Sequence, residues 1–75
     1  MFSNNHDGAI VVISVIVPIF NSEKTLDRCL ASLAKQDFDA VEFICVDDGS
    51  SDNSVSICKK YCDNDKRFKL IRNSH

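Results

Sequence analysis

Three features of this 75-residue sequence predict an α/β fold, a βαβαβ unit of three parallel strands with both helices on one face of the sheet, incomplete as a domain. Apolar, β-branched runs at residues 11–19, 41–46 and 68–71 alternate with two stretches of helical periodicity. The first run is apolar at nearly every position, as in a strand covered on both faces of a parallel sheet. Crossovers between parallel strands are right-handed, so two in succession place both helices on the same side.

Residues 1–8 are polar and aperiodic and read as a disordered leader, which leaves 9–75 as the folded unit. Pro18 lacks an amide donor and ends the pairing of the first strand. Asn21 or Ser22 caps a helix whose apolar positions Leu26, Cys29, Leu30 and Leu33 follow i, i+3, i+4, i+7. Residues 36–40 are a polar link. The second strand is apolar apart from Glu42, and Gly49 supplies the turn after it. Ser51, Asp52 or Asn53 caps the next helix, with Val55, Cys58, Tyr61 and Cys62 on one face. Residues 63–67 form a polar return to the short third strand. Two helices cover one sheet face only, so one alternating set of the first strand, Ile13, Val15 and Val17 or their neighbours Val12, Ile16 and Ile19, is expected to meet water. An exposed strip of that kind marks a missing partner, either a C-terminal half or a second copy.

A composition of 44% hydrophobic and 27% charged residues is that of a soluble globular protein. The net charge of −2 speaks against a nucleic-acid partner, and Lys59, Lys60, Lys66 and Arg67 read as solvated cations near a helix end. The apolar run at 9–17 is too short for a membrane span and has no basic residue before it, unlike a signal peptide. Cys58 and Cys62 lie four apart on one helix face, but no second pair has ligand spacing. Four buried free thiols in a reducing, cytoplasmic setting are therefore expected.

All three strands point the same way, so residues 18–21, 47–50 and 72–75 gather along one edge and line a crevice, the usual ligand site of an open α/β sheet. Asp47 and Asp48 would repel a bare phosphate there, whereas a base with an N–H donor would suit them. Neither G-x-G-x-x-G nor G-x-x-x-x-G-K-[ST] occurs, which speaks against dinucleotide oxidoreduction and P-loop hydrolysis.

The stretches SVIVPIFNSEKTLDRCLASL and FICVDDGSSDNS resemble the start of the nucleotide-binding half of family 2 glycosyltransferases, which have the nucleotide-diphospho-sugar transferase fold called GT-A, so the βαβαβ unit here is a partial Rossmann-like (GT-A) one. The resemblance runs from about Ser14 to the C-terminus. It implies a nucleotide-diphospho-sugar donor, UDP-sugar by preference, and transfer of the sugar to an acceptor hydroxyl in glycan or polysaccharide synthesis. It also implies that the main chain at Pro18 and the ring of Phe20 border the base, and that Asp48 accepts a hydrogen bond from it. By the same resemblance, Glu23 and Asp47 are expected to sit beside these positions and to orient the loop or the ribose. Phe20 stands where the family often has Tyr, so a hydroxyl contact is lost. The family's Mn2+ or Mg2+ site and its catalytic base come from residues well downstream, so the segment holds no cofactor and is expected to be catalytically silent by itself.

Simpler readings stand beside these. Asp47 and Asp48 can terminate a strand while Asp52 caps a helix, Glu23 can be a first-turn carboxylate favoured by the helix dipole, and Phe20 can be core. Two further acidic strings, Asp37-Phe38-Asp39 and Asp63-Asn64-Asp65, fall in helix-to-strand loops at the opposite end of the sheet from the crevice. A phospho-receiver domain would place its acidic pair after the first strand and an Asp after the third, where this chain has Pro18 and Arg72. A non-catalytic assembly module using the uncovered sheet face is the remaining alternative.

Overall fold

The computed structural model describes residues 12–73. The expected leader, residues 1–8, and Val11, the first position of the expected first strand, lie outside them. Five elements follow in order: β1 (Ile13–Ile19), α1 (Glu23–Ala34), β2 (Val41–Asp47), α2 (Ser54–Asn64) and β3 (Phe68–Arg72). The strands form one parallel sheet in the order β1-β2-β3, with Ile19, Asp47 and Arg72 aligned at its carboxyl edge.

Strand residues alternate between faces, and the alternation decides what is buried. Val17 and Ile19 of β1, Phe43 and Cys45 of β2 and Phe68 of β3 pack with Leu26 and Leu30 of α1 and Cys58 of α2 in one core. Both helices therefore lie on the same face. The opposite face presents Ile16, Pro18 and Ile71 in the open and Ile44 and Val46 half-covered, so the exposed set of β1 is the one containing Ile16. Ile19 is not part of that set, because it turns toward the helices and is only 1% exposed. Ile13 has the parity of the covered face yet is exposed, since it lies at the amino end of the sheet.

Phe43 and Phe68 pack with ring centroids 4.8 Å apart, and Tyr61 lies 5.6 Å from Phe68. The Tyr61 hydroxyl donates to Asp27, which fastens α2 to α1. Arg67, expected to be a solvated cation, is instead half-buried. Its guanidinium donates to the carbonyls of Ala34 (3.0 Å), Gln36 (2.7 Å) and Phe38 (2.9 Å), pairs with Asp65 at 2.8 Å and lies 5.5 Å from the centroid of Phe43. Carbonyls at a helix C-terminus have no intrahelical donor, and this side chain supplies one for the end of α1 and for the loop after it.

All four cysteines are free. Cys45 and Cys58 are buried, Cys62 is half-buried, and burial pushes the Cys62 thiol up to about 11. Cys29 departs from expectation and is exposed. At about 100° per residue it lies on the far side of Leu26 from Leu30, and the stripe is completed by Leu33 and Ala34 instead. On α2 the covered face is Ser54, Ile57, Cys58, Tyr61 and Cys62, with Ser54 in place of the expected Val55 at the core. A thiol reagent added to the native chain is expected to modify Cys29 quickly, Cys62 slowly, and Cys45 and Cys58 only on unfolding. Four equal rates would contradict this packing.

Candidate functional site

At the carboxyl edge of the sheet each strand gives way to a loop. Asn21, after β1, has a left-handed backbone with φ 46°, a conformation Asn tolerates better than most residues. Gly49, after β2, has φ 85°. Main-chain ladder bonding runs past the strand ends: the Asp48 N–H donates to Ile19 O (2.9 Å) and the Asn73 N–H to Asp47 O (2.7 Å).

Pro18, Phe20 and Asp48, three of the five residues expected at the site, come together around an open cleft of about 440 Å³ on the uncovered side, with Ile19, Val46 and Asn73. Phe20 is 59% exposed and so is not core. Asn73 was missed in the sequence, which showed only that residues 72–75 reach this edge. Its side chain adds an amide donor and acceptor to the third side of the cleft.

Asp47 and Asp48 do not act as a pair. Strand geometry continues through Asp47, so the two carboxylates leave the backbone on opposite sides. Asp47 turns toward the helices and is fully buried. Its Oδ2 accepts from the Ser50 N–H at 3.2 Å, while Oδ1 has no hydrogen-bond partner among the described residues. Hydrogen bonding to the Ser50 side chain holds its pKa below the usual carboxylate range against the opposing effect of burial, helped by the Ser50 and Gly49 backbone and the charge of Arg72. An ionised group at that depth holds the turn shape.

Glu23 also stands apart from the cleft. It belongs to a lattice that joins the two loops and the N-termini of α1 and α2. Ser22 and Asn53 occupy the cap positions, yet neither caps its own helix. The Ser22 hydroxyl turns back to Phe20 O (3.1 Å). The donors find acceptors on the other loop: Asn21 N–H to Ser50 Oγ (2.9 Å), Ser22 N–H to Ser54 Oγ (2.8 Å) and Glu23 N–H to Asp52 Oδ2 (3.1 Å). In return Ser51 N–H donates to Asn21 Oδ1 and Asn53 N–H to Glu23 Oε1, both at 2.8 Å. Asp52 Oδ1 accepts from the Ser54 N–H at 2.9 Å. Burial works to raise the Asp52 pKa, but the bonds from Ser54 and Glu23 outweigh it and leave it below the ordinary value.

Among the described residues no group of three or more His, Cys, Asp or Glu side chains could hold a metal ion, and no helix is long and apolar enough to cross a membrane. The strings containing Asp37, Asp39, Asp63 and Asp65 lie at or beside the helix-to-strand connections, and Asp65 is taken up by Arg67.

Comparison with known proteins places these features in a group. The family model described as Glycosyl transferase family 2 matches residues 14–75. Glycosyltransferase GlyG of Streptococcus pneumoniae is 43% identical over 60 residues, 80% of this chain and 20% of that protein. Poly(ribitol-phosphate) beta-N-acetylglucosaminyltransferase TarS of Staphylococcus aureus is 54% identical over 50 residues, 64% of this chain and 9% of that one. The crystal structure of S. aureus TarS 1–349 superposes with a TM-score of 0.76 at 42% identity, covering 85% of this chain and 19% of the other. A mannosyltransferase, PcManGT of Pyrobaculum calidifontis, solved with GDP-Man and Mn2+, shares the fold with a TM-score of 0.74 at 22% identity. The chain thus spans about a fifth of the length of GlyG and of the TarS structure.

Proposed function

The chain belongs to glycosyl transferase family 2, and from that membership we propose that it forms the nucleotide-binding edge of a sugar transferase whose donor is a UDP-sugar. The observation that supports this most directly is the cleft that brings Pro18, Phe20 and Asp48 together at the carboxyl edge of a parallel sheet. In this reading the uracil lies along Pro18 and Phe20, and its N3–H donates to the Asp48 carboxylate, an ionised acceptor that makes a stronger bond than a neutral one. Glu23 and Asp47 serve the loops, since their carboxylates accept backbone N–H groups there.

Leaving-group charge must be neutralised and the acceptor hydroxyl deprotonated before a sugar is transferred. The described residues do not fit a metal centre, so both tasks, and the Mn2+ or Mg2+ of the complete domain, are assigned to polypeptide beyond this segment, which alone turns over no donor. That same polypeptide, or a second copy, covers the face bearing Ile16 and Ile71. The free thiols fit a reducing, cytoplasmic setting. A second reading, an assembly module without nucleotide affinity, draws on the same open face.

Calorimetric titration of UDP and of GDP, each with and without manganese, tests the proposal. Saturable UDP binding, largely indifferent to metal and tighter than GDP, is expected. Tighter GDP would reassign the base. Binding of neither, together with a tight dimer, would overturn the nucleotide reading in favour of assembly.

A further inference from the structure

We infer that Asp52 is a positioning residue for the base cleft: its carboxylate bridges the N-termini of α1 and α2 and so fixes the loop bearing Phe20 against the loop bearing Asp48. The functional consequence rests on the nucleotide reading above, whereas the bridge itself does not.

Two helix N-termini side by side present unsatisfied N–H groups and like partial charges, so they require acceptors and repel each other without them. Asp52 answers both needs at once, with Oδ2 on the Glu23 N–H of α1 and Oδ1 on the Ser54 N–H of α2. Glu23 returns the bond through the Asn53 N–H, which closes a reciprocal pair between segments about 30 residues apart. The Asp48 N–H to Ile19 O bond ties the loops at the sheet edge. Asp52 ties their far ends. Asp48 forms the first tie and Phe20 lies between the two, and both side chains are exposed, so packing alone does not set their separation.

Asp52→Asn is the informative variant, because an amide keeps one acceptor oxygen and cannot serve two N–H groups in the same way. Amide exchange on the 75-residue chain is expected to show faster exchange at Glu23, Asn53 and Ser54 together, by about tenfold, with the Leu30 and Phe43 amides unchanged. At a temperature where both chains are folded, UDP affinity is expected to fall about tenfold. Should that variant unfold, Glu23→Ala, which removes only the acceptor of the Asn53 N–H, is expected to speed exchange at Asn53 while Glu23 and Ser54 stay protected by Asp52, and loss of protection at all three alike would overturn the inference. Protection retained at Glu23 and Ser54 in a folded Asp52→Asn chain would overturn the inference. So would unchanged UDP affinity despite opened loops. If the unaltered chain binds no UDP, the nucleotide reading fails and the exchange pattern alone decides whether Asp52 couples the loops.

Discussion

Replacing Arg67 by alanine is expected to lower the thermal unfolding midpoint by at least about 10 °C, a large effect for a domain of this size. The change removes the donor for three carbonyls, those of Ala34, Gln36 and Phe38, and leaves the Asp65 carboxylate without its cation. It also exposes the Phe43 ring beneath the guanidinium. A lysine at this position reaches one of these acceptors as a point charge but cannot address a fork of directions, so Arg67→Lys should recover little of the loss. Thermal melts followed by circular dichroism check both variants. A midpoint within a degree or two of the unaltered chain would mean that water serves those carbonyls equally well.

Asp48→Ala is expected to weaken UDP binding by roughly 10- to 100-fold, the range for losing a hydrogen bond to a charged acceptor. The neighbouring position should behave differently. Asp47 is buried under the turn, so Asp47→Asn should act on the melting midpoint before it acts on affinity. Titrating UDP into both variants at a temperature where each remains folded separates the two effects. Equal losses of affinity at both positions would mean that the carboxylates share the ligand, contrary to their placement on opposite sides of the backbone.

The strands were legible because β-branched runs have few alternatives, and their observed spans differ from the expected ones by a residue or two. One of those residues mattered. Ending the second strand at Val46 made Asp47 and Asp48 look like neighbours in one turn, whereas carrying it through Asp47 sends them to different faces. The gathering of Pro18, Phe20 and Asp48 followed from strand direction and from family resemblance, both of which a sequence displays. Arg67 did not show itself, since its acceptors are main-chain carbonyls some 30 positions away and carry no residue signature. The cap positions were read correctly, but their chemistry was not. Local rules pair a cap side chain with its own helix, which Asp52 alone of the expected caps does through the Ser54 N–H, while the Asn21, Ser22, Glu23, Ser51 and Asn53 N–H groups find acceptors on the other loop.

That exchange of acceptors limits how these loops can vary in length. Asn21 and Glu23 meet Ser51 and Asn53 in step, each two positions after the last, as do Ser50 and Asp52 with Asn21 and Glu23, while Ser54 accepts from Ser22. Adding or deleting one residue within 21–23 or 50–54 would shift the acceptors beyond it past their donors. The spacing within each stretch is therefore dictated by two helix ends that must be satisfied together, before any ligand arrives.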